Sequence, residues 1–71
     1  MKGRYYMDLK DKCYAVRSIL NLTQKEFGMM IASNQTEVSF IERGFIPKQK
    51  QIYLIELLYE RVEGNYETNK D

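Results

Sequence analysis

Leu9, Cys13, Val16 and Leu20 recur at intervals of four, three and four residues, so they fall on one apolar stripe of a helix. Asp8, just ahead of them, is a suitable capping residue, and Asn21, just after, suits the left-handed backbone at which helices end. A first helix is therefore predicted between these two. The next stretch, "LTQKEF" (residues 22–27), carries two start signals at once: Thr23 and Glu26 have the spacing of a capping box, and Leu22 and Phe27 that of a hydrophobic staple. A second helix is predicted from Thr23 to Met30 or Ile31, with Phe27, Met30 and Ile31 facing inward. Gly28 lies inside it, and a mid-helix glycine costs about 1 kcal/mol relative to alanine. A close passage of another helix is the simplest reason to keep it.

"ASN" at 32–34 is a short break, after which Asn34 and Glu37 have the spacing of a second capping box and start a third helix. Val38, Ile41 and Glu42 share one side of that helix at about 100° per residue, while Thr36, Ser39, Phe40 and Arg43 point away. Gly44 ends it, and Pro47 suits the first turn of a fourth helix. The fourth includes "IYLIELLY", in which seven of eight residues are apolar or aromatic, a stripe too wide for one buried face. The polar stretch "GNYETNKD" reads as a flexible tail. The expected organisation is an arm over 1–7, an all-α domain over 8–63 and a tail over 64–71.

Composition narrows the class. Seventy-one residues support one small domain, which buries only about 60% of the surface its unfolded chain exposes and has no room for a large cleft. Cys13 is the only cysteine, which excludes an internal disulfide, and the chain shows neither a leader-like apolar segment nor a run of membrane-spanning length. A cytoplasmic location is the expectation, without membrane association. The net charge of +1 conceals a division: residues 1–50 hold nine Lys and Arg against five Asp and Glu, and residues 51–71 hold two against five. The basic part is the part with the two short, well-capped helices, so an anionic partner is expected there.

Residues 16–47, "VRSILNLTQKEFGMMIASNQTEVSFIERGFIP", resemble the helix-turn-helix of Cro and phage-repressor-type regulators, the Xre family, through "LTQ", "IERG" and the following proline. That resemblance implies a lambda-repressor-like bundle of four or five helices, dimeric binding to operator DNA, and the third helix as the reader of the major groove. It implies an ion pair between Arg17 and Glu42 that ties the first helix to the third. It also carries base-contacting positions onto Gln35, Thr36 and Phe40, with Ser39 beside them, and a phosphate-contacting position onto Gln24. Arg43, Lys48 and Lys50 are further candidates for phosphate.

The departures from that pattern matter equally. Ala32 and Ser33 stand where the turn usually has glycine and a buried apolar residue, and Phe40 replaces a polar or basic reader. Phe45 and Ile46 take places that are commonly basic, so Phe40, Phe45 and Ile46 can form an apolar patch of the kind that marks a protein contact, or the last two can pack on the fourth helix. Ile52, Ile55, Leu58, Tyr59 and Val62 are expected to divide between the core and a dimer interface.

With no histidine, no second cysteine and no glycine-rich phosphate loop, the residues suggest neither an enzyme nor a metal, cofactor or small-molecule site. The leading expectation is a DNA-binding regulator of phage or mobile-element type. An antirepressor that meets a repressor protein through the same surface is the second, and an antitoxin of the same fold the third.

Overall fold

The computed structural model describes residues 8–70, with side chains described over 8–63. The N-terminal arm 1–7 lies outside the described residues. Among the described residues the chain forms four helices and no strand: α1 (Leu9–Ile19), α2 (Gln24–Met30), α3 (Gln35–Glu42) and α4 (Gln49–Lys70). None of these helices is long and apolar enough to cross a membrane.

α1 begins at Asp8 through the backbone, since the Asp8 carbonyl accepts from the amides of Asp11 and Lys12 while its carboxylate makes no capping bond among the described residues. Cys13 and Val16 are fully buried and Leu9 packs against them, whereas Leu20, expected on the same stripe, is exposed. Leu20 keeps helical backbone at φ −87° and its amide still donates to the Val16 carbonyl at 3.0 Å, but α1 stops at Ile19, Asn21 turns left-handed at φ 58°, and it is Leu22, after the turn, that packs on the core. α2 starts with a complete capping box, Thr23 Oγ1 accepting from the Glu26 amide at 3.0 Å and Glu26 Oε1 from the Thr23 amide at 2.9 Å. Phe27 and Ile31 are buried but Met30 is exposed, contrary to expectation. The inward face is centred between Phe27, Ile31 and Gly28, and at 100° per residue Met30 falls off its edge.

Gly28 has the neighbour its position demands. A Cβ there would lie 2.8 Å from the Asn34 carbonyl carbon and 2.9 Å from its oxygen, so the start of α3 rests directly on α2. α3 is capped by Asn34 Oδ1, which accepts from the Glu37 amide at 2.9 Å. The second capping box is only half formed, because the Glu37 carboxylate accepts from the Ser33 hydroxyl instead of returning to Asn34. Pro47 is buried ahead of α4 and not in its first turn; the first helical bond runs from the Ile52 amide to the Lys48 carbonyl at 3.0 Å. α4 also continues as helix through 64–70, the segment whose polarity suggests a tail, since backbone hydrogen bonds alone sustain a helix already nucleated upstream.

The core joins all four helices: Cys13, Val16, Phe27, Ile31, Val38, Ile41, Ile55 and Val62. Ile55 and Val62 are thereby removed from any dimer surface, because α4 spends that face on its own domain. Leu58 and Tyr59 are half-buried against the core and Ile52 is half-buried beside it, so these three keep outer surface. Lys12 on α1 reaches Glu56 on α4 at 2.6 Å and lies 5.4 Å from the centre of the Tyr59 ring.

Candidate functional site

The outer side of α3 and the first residue of α2 enclose a shallow, open depression of about 250 Å³ lined by Gln24, Gln35, Thr36, Ser39, Phe40 and Arg43. Gln24, the first residue of α2, lines it, and the burial of Val38 and Ile41 turns the opposite face of α3 outward. Every residue expected to face a base, Gln35, Thr36, Ser39 and Phe40, lines this one surface, together with Gln24 and Arg43 from the phosphate set. Lys48 and Lys50 do not line it; they are exposed around the start of α4.

Behind the depression stands a polar cluster that joins α1, α2 and α3. Arg17 Nε donates to Glu42 Oε2 at 2.7 Å and the Arg17 terminal nitrogen Nη2 donates to Glu42 Oε1 at 3.1 Å, a two-pronged pair with side chains 20% and 12% exposed. Arg17 Nη1 also donates to the Leu22 carbonyl at 3.2 Å. Gln24 Nε2 donates to the same Glu42 Oε1 at 3.1 Å, so one amide proton expected to face phosphate is directed inward and the second is left for a partner. The Glu42 hydrogen bond, more than its charge, holds the Arg17 guanidinium protonated above its ordinary value. Burial first, and then the facing Glu42 carboxylate, push the Cys13 thiol up to about 12, which suits a packed core residue and leaves no thiolate near neutrality.

The aromatic half of the site is ordered by its neighbours. Arg43 donates to Ser39 Oγ at 3.0 Å and sets its guanidinium carbon 5.2 Å from the centre of the Phe40 ring. The centre of the Phe45 ring lies 6.0 Å from that of Phe40, with the two rings tilted by 50°. Phe40, Phe45 and Ile46 are 44%, 61% and 66% exposed, so Phe45 and Ile46 are not buried against α4. Phe45 and Ile46 line a second open depression of about 270 Å³ with Asp8, Leu9, Lys10 and Gly44.

Glu37, an awkward acid for a surface that meets phosphate, is half-buried and occupied by the Ser33 hydroxyl. Gln51 was not anticipated: it is 6% exposed, and its Nε2 donates to the carbonyls of Ile31 at 3.2 Å and Ala32 at 3.3 Å. A signal for it exists in the sequence, since Gln51 lies four residues before Ile55 on the stripe that continues to Val62 and is the polar member of that stripe.

Compared with known proteins, the chain matches no family model, no curated sequence and no solved structure. What the fold and the site define is therefore a class: a four-helix all-α domain that presents amide, hydroxyl, guanidinium and aromatic groups together along one short helix.

Proposed function

We propose that this chain is a small sequence-specific DNA-binding transcription regulator, of phage or mobile-element type, in which α2 and α3 act as a helix-turn-helix and α3 enters the major groove. The carrying observation is that Gln35, Thr36, Ser39 and Phe40 share one open surface with Gln24 and Arg43. Gln35 can pair in bidentate fashion with an adenine edge, and Thr36 and Phe40 offer apolar contact to a thymine methyl. The second amide proton of Gln24, with Arg43, Lys48 and Lys50, supplies sequence-independent contacts to phosphate. One such module makes few contacts, so the working form in this reading is a homodimer that joins two half-sites, through the surface that Ile52, Leu58 and Tyr59 keep on α4. Selection of a bound sequence from randomised duplexes tests the reading. Gln35→Ala should then weaken the selected duplex by about 1–3 kcal/mol, and Lys48→Ala should weaken all duplexes alike. Equal affinity for selected and scrambled DNA rules it out.

A second reading is favoured by the exposed Phe40 and Phe45 rings, which lie in contact beside Ile46. In it the same face anchors a repressor protein, and the chain acts as an antirepressor, the aromatic side chains supplying most of the binding energy. Co-purification with a co-encoded repressor, lost on Phe40→Ala in a folded protein, supports it over the first.

A further inference from the structure

Three helices of this chain end in the same way. After α1 the left-handed residue is Asn21 (φ 58°), with the Leu22 amide donating to the Arg17 carbonyl at 2.8 Å. After α3 it is Gly44 (φ 107°), with the Phe45 amide donating to the Phe40 carbonyl at 3.0 Å. After α2 it is Ala32 (φ 57°), with the Ser33 amide donating to the Gly28 carbonyl at 2.7 Å. Glycine and asparagine take this conformation readily; alanine does not, because its Cβ crowds the following carbonyl oxygen.

Ala32 is also where Gln51 acts. The two carbonyls that accept from Gln51 Nε2, those of Ile31 and Ala32, belong to the peptide planes on either side of Ala32. Fixing both planes fixes φ and ψ at Ala32. The position pays for this with a buried amide oxygen: Gln51 Oε1 has no hydrogen-bond partner among the described residues. An apolar side chain would avoid that penalty and complete the stripe of Ile55 and Val62.

We infer that Gln51 is a positioning residue: from α4 it holds Ala32 in its left-handed conformation and so sets the angle at which α3 leaves α2. On the DNA-binding reading, on which this consequence rests, the helix that carries the dimer surface thereby also aims the helix that reads bases.

The test compares wild type, Gln51→Met, Ala32→Gly and the double variant. The free full-length proteins are read by NMR, through the Ala32 Cα shift and its amide coupling constant, and also by binding to the selected duplex and to a scrambled one. Gln51→Met should lose the left-handed signature of Ala32 and weaken the selected duplex about tenfold while leaving the scrambled duplex unchanged. The double variant should return to within about threefold of wild type, because glycine enters the left-handed turn without the steric cost that the Gln51 bonds offset at alanine. Should Gln51→Met fail to fold, the double variant must fold. A folded Gln51→Met with the Ala32 signature and affinity of wild type overturns the inference, as does a double variant without recovery. If the wild type selects no duplex, the DNA-binding reading falls, and the NMR signature of Ala32 alone decides this one.

Discussion

Gly28→Ala should destabilise this protein, although the usual rule for a mid-helix glycine is the reverse. Alanine improves helix propensity by about 1 kcal/mol. Against that, the added Cβ meets Asn34 backbone atoms at 2.8, 2.9 and 3.0 Å, where carbon contacts need about 3.5–4.0 Å. Backbone cannot rotate aside, so the start of α3 must retreat by roughly 0.7 Å or more, a distance set by the same contact limits. Overpacking of this kind costs about 1–3 kcal/mol. The retreat also stretches the 2.7 Å bond from the Ser33 amide to the Gly28 carbonyl. Weakening that bond adds up to about 1 kcal/mol. After the propensity gain the net loss spans about 0–3 kcal/mol, with about 1–2 kcal/mol at its centre. With a urea m-value of about 1 kcal/mol/M for a chain this small, the unfolding midpoint should fall by about 1–2 M. A raised midpoint would refute the close approach of α2 and α3.

Glu42→Ala leaves the Arg17 guanidinium and the Gln24 amide without their shared acceptor, and should cost about 2–3 kcal/mol in denaturant unfolding, less than a fully buried pair because both partners retain some solvent. Replacing both partners, Arg17→Met with Glu42→Leu, should cost less than Glu42→Ala alone, since no charge is then stranded. Lys12→Ala should cost less than about 1 kcal/mol, because Glu56 on the far side of that pair is 44% exposed. The Cys13 thiol is raised from its ordinary 9.0 to about 12 in the folded protein. Between those values the unfolded chain has lost a proton that the folded chain keeps, so stability is undiminished below pH 9 and falls above it by up to about 1.4 kcal/mol per pH unit. Unfolding of Cys13→Ala measured over the same range should lack this component.

Features decided within a few residues were legible in the sequence. The Thr23–Glu26 box, the Asn34 cap and the left-handed ends at Asn21 and Gly44 each rest on groups close along the chain, and each is present. Gly28 pointed to a close neighbour, although only coordinates identify it as the Asn34 backbone. The Arg17–Glu42 pair was implied by resemblance, and its third member Gln24 was not, because a shared acceptor depends on how two helices cross. Leu20 and Met30 went the wrong way for one reason: a periodic stripe assumes the helix continues, and these residues sit where it stops or where its short inward face ends. Lys12 with Glu56, and Gln51 with Ala32, join residues 44 and 19 apart, beyond any local pattern.

The central claim is that the face of α3 meets DNA, and affinity for a selected duplex measured across salt concentration tests it most directly. Arg43, Lys48 and Lys50 give three cations per subunit, six in the proposed dimer, for a log–log slope of about −5. That slope should shrink by about 2 on Lys48→Ala, one phosphate contact being lost in each subunit, and stay nearly constant on Gln35→Ala while affinity drops. A flat salt dependence, with no duplex preferred over its scrambled form, would contradict the account.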